Sequence, residues 1–186
     1  MKTNELQEES FHSEKVTKIQ RAVEQSVEPG MGDYEMAKAL HDYVVLNSAY
    51  GYPSDVPQVI DGGYLILVRG MGVCTDYAQA YKELMDAVGI PCEVVFGIAG
   101  GASHAWNVVQ IDGAWYHVDT TWDDPTPNRE GYVRYDYFLK SDSYMRRDHT
   151  QWNETYPCTS TKYDNADLPD TTQQQEQQEK QQEQET

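Results

Sequence analysis

Cysteine is scarce in this sequence, which contains only Cys74, Cys92 and Cys158 among 186 residues. Three thiols are too few for a small domain held together by disulfides, and their spacing fits no paired-cysteine zinc motif. At least one thiol must stay unpaired within a monomer. Whether Cys92 and Cys158 pair is left open, and so is the compartment, with an extracellular or cell-surface location as the preferred expectation.

Basic residues are also few, with 14 lysines and arginines against 31 acidic residues and a formal net charge of −17. A field of that sign repels phosphate backbones and anionic lipid headgroups, so we expect no nucleic-acid partner. No stretch approaches the ~18 consecutive apolar residues of a membrane span. Residues 1–15 lack the apolar segment of a signal peptide. We therefore expect no membrane insertion, and the oligomeric state is left open.

Apolar residues make up 39% of the chain, a little below the ~45–50% of ordinary soluble domains, and the shortage is concentrated at the two ends. The last sixteen residues, 171–186, are almost entirely Gln, Glu, Lys and Thr. Such a segment cannot bury enough surface to offset the entropy of ordering it. We predict a disordered or frayed N-terminus over 1–12, one folded domain over 13–165, and a Gln/Glu-rich disordered tail over 166–186.

Apolar residues at helical spacing dominate the first half of the folded region, and strand-like alternation follows them. Asp33 is the expected N-cap of the second helix, and Gly89 is the expected stop of the third. The predicted elements are helices over 13–28, 33–46 and 74–88, a loop with one helical turn over 50–72, and strands over 92–98, 105–111 and 114–121. Helices followed by an antiparallel sheet form an α+β fold.

The last two predicted strands carry a histidine and an aspartate that can meet. A two-residue turn at Asp112-Gly113 pairs Ile111 with Ala114. Because side chains alternate faces with a period of two, His104 and Asp119 then lie on one face as diagonal neighbours. A carboxylate bound to one ring nitrogen fixes the tautomer of an imidazole and leaves the other nitrogen free to exchange a proton.

Cys74 begins the third predicted helix, where the N-terminal end of the helix favours the thiolate over the thiol. A neighbouring imidazolium would favour the thiolate further. Cys74, His104 and Asp119 are therefore the candidate nucleophile, base and orienting carboxylate of a catalytic triad. His117 lies on the same strand face as Asp119 and is the competing base.

Four short blocks in this order resemble the bacterial transglutaminase-like domain. They are GVCTDYA at 72–78, GIPC at 89–92, HAWN at 104–107 and WYHVDTTWD at 115–123. The resemblance extends over roughly residues 33–155, and the segment 135–152 is similar to the end of bacterial members. Asp76 is a departure, because many relatives carry glycine there; we expect it only to adjust the rim of the site or to favour the helix N-terminus.

The resemblance implies a papain-like α+β fold in which the cysteine helix packs on an antiparallel sheet. It also implies Cys74 as nucleophile, His104 as general base and acid, and Asp119 as the orienting carboxylate. Tyr50 resembles a tyrosine that often precedes the cysteine block, and its hydroxyl is a candidate donor to an oxyanion, as is the backbone N–H of Cys74.

The expected function is thiol acyl transfer, most simply by a cysteine peptidase or amidase that acts on peptide or isopeptide amides. One alternative is a protein-glutamine γ-glutamyltransferase, which resolves the same acyl-enzyme with an amine. Another is a non-catalytic module that binds peptide or glycan on the same fold. The expected partner is a peptide or protein substrate, with cell-wall peptide as one option that suits the acidic charge.

No cofactor is expected, and no metal site is predicted. Asp119, Asp123 and Asp124 with His117 could be imagined as ligands, but no metal-binding motif connects them. His41 and His149 are interpreted as structural histidines whose ring nitrogens are satisfied by hydrogen bonds.

Overall fold

The computed structural model describes residues 2–57, 60 and 62–165, and the predicted tail over 166–186 lies outside this range. The elements in chain order are α1 (Lys2–Ser26), α2 (Asp33–Leu46), β1 (Ala49–Tyr50), a π-helical turn (Leu65–Arg69), β2 (Met71–Gly72), α3 (Cys74–Ala87), β3 (Cys92–Ala99), β4 (Ala102–Ile111), β5 (Ala114–Val118), α4 (Thr120–Asp123), β6 (Phe138–Lys140), α5 (Asp142–Met145) and β7 (His149–Thr150). The α+β class predicted from the sequence is confirmed.

Strands β3–β7 form one antiparallel sheet in the order β6-β5-β4-β3-β7, whereas β1 and β2 form a separate parallel pair. Asp112 and Gly113 both have positive φ, 49° and 81°, as a two-residue hairpin requires. The turn pairs Ile111 with Ala114. The predicted register of the hairpin is therefore confirmed.

The second strand of the hairpin is shorter than predicted. β5 ends at Val118 instead of extending to Thr121, because the side chain of Asp119 accepts a hydrogen bond from the backbone N–H of Trp122 at 3.1 Å and starts helix α4. An aspartate with its side chain on the N–H three residues later is a helix N-cap. Asp119 thus lies at the junction of a strand and a helix.

The first helix is longer than its apolar pattern indicates. α1 starts at Lys2 and not at Ser13, so residues 2–12 are helical where a frayed or disordered segment was predicted. Phe11 packs edge-on against Tyr64 at a ring-centroid distance of 5.3 Å, and the hydroxyl of Tyr64 donates to Glu14 at 3.0 Å. The apolar spacing within α1 does not reveal these contacts, because Tyr64 lies far along the chain, at the start of the π-helical turn.

Helix α2 begins one position earlier than its predicted cap implies. Asp33 is the first helical residue, and Gly32 in an extended conformation is the N-cap. An acidic residue in the first turn still interacts favourably with the helix dipole. Within the described part of the chain, none of the helices has the length and apolar character of a membrane-spanning segment.

The sheet is covered on both faces. One face packs against α2 and α3 in the larger core, which includes Leu84, Val109 and Val118. The opposite face, where the hairpin analysis places the polar residues, is covered by the chain after β6, and Trp106 lies there in a second core with Met145 and Cys158. His117 is buried on this face.

Asn107 joins the cysteine helix to the histidine strand. Its side chain is buried and donates from Nδ2 to the backbone carbonyl of Ala78 in α3 at 2.8 Å. A second, longer contact of 3.3 Å reaches the carbonyl of Glu93 in β3. Because Cys74 begins α3 and His104 lies on β4, this amide helps to set the separation of the two side chains.

We expect Asn107→Ala to lower the free energy of unfolding by about 1–3 kcal/mol, since it removes a buried hydrogen bond and leaves a buried carbonyl with one partner fewer. Urea denaturation followed by circular dichroism measures this loss. Asn47→Ala is the matched control, because the exposed Asn47 side chain also donates to a helix carbonyl, that of Tyr43 at 2.8 Å, and its removal should cost less than about 0.5 kcal/mol. Equal losses would contradict the role of Asn107.

Candidate active site

Cys74 is held at the first position of α3 by the segment before it. β2 pairs with β1, so that Gly72 lies opposite Tyr50, and Val73 is the extended N-cap residue. The side chain of Asp76 accepts a hydrogen bond from the backbone N–H of Val73 at 2.8 Å. Asp76 therefore stabilises the start of the helix, which is the second of the two roles expected for it from the sequence.

The thiol of Cys74 is half-buried and activated. A hydrogen bond with His104 is the main cause that lowers the pKa of Cys74, and burial opposes it. The backbone N–H groups of Ala105 and Thr75 also lower this pKa by hydrogen bonding to the sulfur. By contrast, burial raises the pKa of Cys92 and of Cys158. Cys74 is thus the one cysteine of the three whose surroundings favour a thiolate.

His104 and Asp119 meet as the hairpin register predicts. Nε2 of His104 lies 2.7 Å from Oδ2 of Asp119, which leaves Nδ1 as the ring nitrogen available to Cys74. Burial alone would lower the pKa of His104, but the hydrogen bonds with Asp119 and Cys74 raise it to about 9. The histidine therefore carries a proton at neutral pH, next to a thiol whose pKa is lowered.

Asp119 is fully buried. Burial would raise the pKa of its carboxyl group, yet the hydrogen bonds from His104 and His149 outweigh burial and lower it. His149 is a second histidine on the same carboxylate, with Nε2 2.9 Å from Oδ2. The interpretation of His149 as a structural histidine from the sequence did not anticipate its contact with Asp119. The signal in the sequence was the Asp148-His149 pair, which lies within the segment that resembles the end of bacterial members.

His117, the competing base, does not reach the cleft. Its Nδ1 accepts a hydrogen bond from the indole N–H of Trp106 at 2.9 Å, and its Nε2 lies 2.7 Å from Asp142. Burial lowers the pKa of His117. Because the indole can only donate, the imidazole is neutral with its proton on Nε2. His117 ties the sheet to the C-terminal segment and is not available as a base.

His41 is satisfied by hydrogen bonds in the larger core, as expected. Its Nε2 lies 2.8 Å from Asp123 and its Nδ1 lies 3.1 Å from Asp42. Asp123 is therefore hydrogen-bonded to His41, whereas His117 is hydrogen-bonded to Trp106 and Asp142. The imagined group of ligands is not assembled.

Two groups of three potential metal-binding side chains do converge among the described residues. One contains His104, Asp119 and His149, and the other contains His117, Asp142 and Cys158. In each group a carboxylate oxygen already takes hydrogen bonds from its neighbours, at 2.7 and 2.9 Å in the first and 2.7 Å in the second. We assign a hydrogen-bond network to each group and an ion to neither.

Cys74 and His104 open into a cavity of about 860 Å³. The aromatic side chains of Tyr50, Trp122 and Tyr137 line this cavity with them. Its charged lining residues are Asp124, Asp136, Asp148, Arg134 and Arg147. The Cys74 thiol is partly exposed to this mixed-charge cleft, whereas the thiols of Cys92 and Cys158 are buried in the protein interior.

The sequence profile of the transglutaminase-like superfamily matches residues 20–120, more than half of the chain. The chain belongs to this superfamily. The matched region contains Cys74, His104 and Asp119, and the α+β architecture with a helix-borne cysteine packed on an antiparallel sheet is the architecture that the superfamily resemblance implied. The superfamily consists mostly of enzymes, either proteases or transglutaminases.

Two curated relatives share part of the chain. The mouse kyphoscoliosis peptidase is 29% identical over 100 residues, which cover 45% of this chain and 15% of the mouse protein. The human kyphoscoliosis peptidase is 34% identical over 61 residues, which cover 26% of this chain and 9% of the human protein. The chain thus spans less than a sixth of the length of these relatives.

Two solved structures are similar in part. One, a TGase, has a TM-score of 0.46 at 20% identity and covers 60% of this chain and 31% of its own. The other is the periplasmic domain of TgpA from Pseudomonas aeruginosa, with a TM-score of 0.44 at 23% identity over 60% of this chain and 44% of its own.

We expect iodoacetamide to alkylate Cys74 at a rate whose pH midpoint lies below the ordinary thiol pKa, because His104 stabilises the thiolate. Replacement of His104 by Gln removes the imidazolium and should move this midpoint upward. Mass spectrometry of the modified peptide measures the rate at each pH. The comparison is made at one cysteine, so differences in exposure among the three thiols do not enter. An unchanged midpoint in His104→Gln would contradict activation of Cys74 by His104.

Proposed function

We propose that this protein is a thiol acyl-transfer enzyme, a cysteine peptidase or amidase that hydrolyses peptide or isopeptide amides. Cys74 is the nucleophile, His104 is the general base and acid, and Asp119 is the orienting carboxylate. The observation that carries the proposal is the position of His104. Its Nε2 lies 2.7 Å from Oδ2 of Asp119, and its ring lies beside the thiol of Cys74, whose pKa it lowers.

The first half of the reaction follows from this arrangement. The Cys74 thiolate attacks the amide carbonyl carbon, and the carbonyl π electrons move to the oxygen to give a tetrahedral oxyanion. The intermediate collapses as the C–N bond breaks, and the imidazolium of His104 gives its proton to the departing amine. An acyl-enzyme and a free amine result, and His104 is left neutral.

Water completes the cycle. Neutral His104 accepts a proton from a water molecule that attacks the thioester carbonyl carbon; the C–S bond then breaks, the carboxylic product is released, and the thiolate stays on Cys74. The proton on His104 restores the imidazolium. Asp119 stays ionised throughout, because its role is to hold the ring orientation and to stabilise the imidazolium rather than to take a proton itself.

The oxyanion needs donors that are in place before the reaction. The backbone N–H of Cys74 at the start of α3 is one candidate, and the Tyr50 hydroxyl on the wall of the cleft is another. Burial raises the pKa of Tyr50, and the negative charge of the Cys74 thiolate raises it further. Tyr50 therefore keeps its proton at neutral pH and can donate a hydrogen bond.

The peptidase assignment is also supported by the name of the curated relatives, both of which are described as peptidases.

An amine in place of water would make the same acyl-enzyme a cross-linking intermediate, so the γ-glutamyltransferase alternative differs only in the second half of the reaction. A purely binding module would have no need of a lowered thiol pKa. We propose a peptide or protein as the substrate, with cell-wall peptide as one source.

We expect Cys74→Ala to reduce amide hydrolysis by about 10³-fold or more, while the melting temperature stays close to that of the wild type because the side chain is half-exposed. The assay incubates the full chain with a peptide mixture containing glutamine and lysine side chains, together with a fluorescent primary amine. Mass spectrometry detects new termini and amine incorporation. Incorporation without new termini would support the transferase instead, and equal backgrounds in the wild type and Cys74→Ala would refute acyl transfer.

We expect hydrolysis to decline above a pH of about 9, because His104, whose pKa is about 9, then loses the proton that it must give to the leaving amine. On the acidic side, activity should extend below the ordinary thiol range, since the pKa of Cys74 is lowered. The pH dependence of kcat/KM measures both limbs. Activity that keeps rising above pH 10 would contradict His104 as the general acid.

A further inference from the structure

A second histidine, His149, contacts the carboxylate of Asp119 in addition to His104. His149 is the first residue of β7, and β7 pairs with β3 so that His149 lies opposite Ala99. The imidazole is completely buried. It packs edge-on against Trp106 and Trp122, with ring centroids 4.9 and 4.6 Å away. The two indoles therefore hold the ring in one orientation.

Both ring nitrogens of His149 face carboxylate oxygens. Nε2 lies 2.9 Å from Oδ2 of Asp119, and Nδ1 lies 2.7 Å from Oδ1 of Asp148. An ionised carboxylate can only accept hydrogen bonds, so each of these contacts requires a proton on the ring nitrogen. With both nitrogens protonated, the imidazole is a cation.

We propose that His149 is a positioning residue. Its imidazolium holds Asp119 in place by a hydrogen bond, and the carboxylate of Asp148 balances the charge of the imidazolium. The proposal rests on the proposed function in that Asp119 matters because it orients His104. Oδ2 of Asp119 then takes hydrogen bonds from two histidines, at 2.7 and 2.9 Å, while its Oδ1 accepts the backbone N–H of Trp122 at 3.1 Å. These three bonds remove the freedom of the carboxylate to turn.

The charges alternate along this chain of contacts, from the Cys74 thiolate through His104, Asp119 and His149 to Asp148. The rings of His104 and His149 are 5.8 Å apart between centroids, a distance at which two cations repel each other appreciably in a protein interior. His149 therefore has two opposed effects: it keeps the buried Asp119 ionised, and it limits how strongly Asp119 can raise the pKa of His104.

Other titratable groups also face His149. The Tyr137 hydroxyl donates to Oδ2 of Asp148 at 2.5 Å and packs its ring near His149. His117 lies on β5, which two strands separate from β7 in the sheet, and the charge of His149 adds to the lowering of the pKa of His117 that burial causes. His117 is neutral and Tyr137 keeps its proton, so the charged groups that contact His149 through a hydrogen bond or a ring are Asp119, Asp148 and His104.

The test replaces His149 by Gln, which keeps one donor and loses the charge, and by Phe, which keeps the ring and loses both donors. The readout is the pH midpoint of Cys74 alkylation by iodoacetamide, which does not depend on any substrate. We expect the first of the two effects to dominate: without His149 the buried Asp119 is less strongly ionised and supports the His104 imidazolium less, so this midpoint should rise in both variants, by about one pH unit. For a substrate that the wild type hydrolyses, kcat should fall more in His149→Phe than in His149→Gln, with KM little changed.

His41→Gln is the matched control. His41 is also fully buried between two carboxylates, at 2.8 Å from Asp123 and 3.1 Å from Asp42, but neither carboxylate contacts His104. This variant should lower the melting temperature and leave the alkylation midpoint unchanged. A structural role of His149 would produce the same pattern in the His149 variants, and that result would overturn the proposal.

A measurement on the wild-type chain covers the case in which the His149 variants do not fold. Two-dimensional 15N–1H NMR of the histidine rings distinguishes a doubly protonated imidazole from a neutral one, and His149 should show two protonated nitrogens at pH 7. A bare nitrogen there would overturn the proposal. If the midpoint shifts as expected but no amide is hydrolysed, His149 keeps its role toward Asp119, and it is the hydrolase proposal that fails.

Discussion

The site depends on keeping one buried carboxylate ionised. Asp119 has no contact with solvent, and burial by itself favours the protonated form of a carboxyl group. Hydrogen bonds from His104 and His149 and from the backbone N–H of Trp122 reverse that preference. An ionised Asp119 then sustains the charge on His104, and that charge lowers the pKa of Cys74. The activation of the thiol therefore begins two side-chain contacts away from the sulfur, at the buried carboxylate of Asp119.

The fold supplies the rigidity that this arrangement needs. Helix α3 brings Cys74 from one face of the sheet, while β4 and the end of β5 carry His104 and Asp119. The segment after β6 closes the opposite face and delivers His149 and Asp148. Each group is thus mounted on an element that is packed against the sheet, and a buried amide, Asn107, fixes the helix to the strand. Sites built on packed elements hold their geometry better than sites on loops.

Much of this could be predicted from local pattern. The helix that starts at Cys74 and the strands on either side of Asp112-Gly113 follow from the spacing of apolar residues and from turn chemistry. The register of the hairpin follows from the length of the turn, and it places His104 next to Asp119. The helical residues before Ser13 could not be predicted in this way, because Phe11 and Glu14 are stabilised by Tyr64, which is far away in the sequence.

The sequence by itself determined the α+β class and the hairpin register, and it singled out the three residues of the proposed triad, because each depends on the spacing of residues within one element or on the order of short motifs. Only the tertiary structure decided which histidines serve the site. His117 and His149 both neighbour aspartates, yet packing seals His117 against Trp106 and Asp142 and directs His149 onto Asp119. The physical reason is that protonation and hydrogen bonding of a buried imidazole depend on the atoms that surround it, and these come from strands distant in the chain.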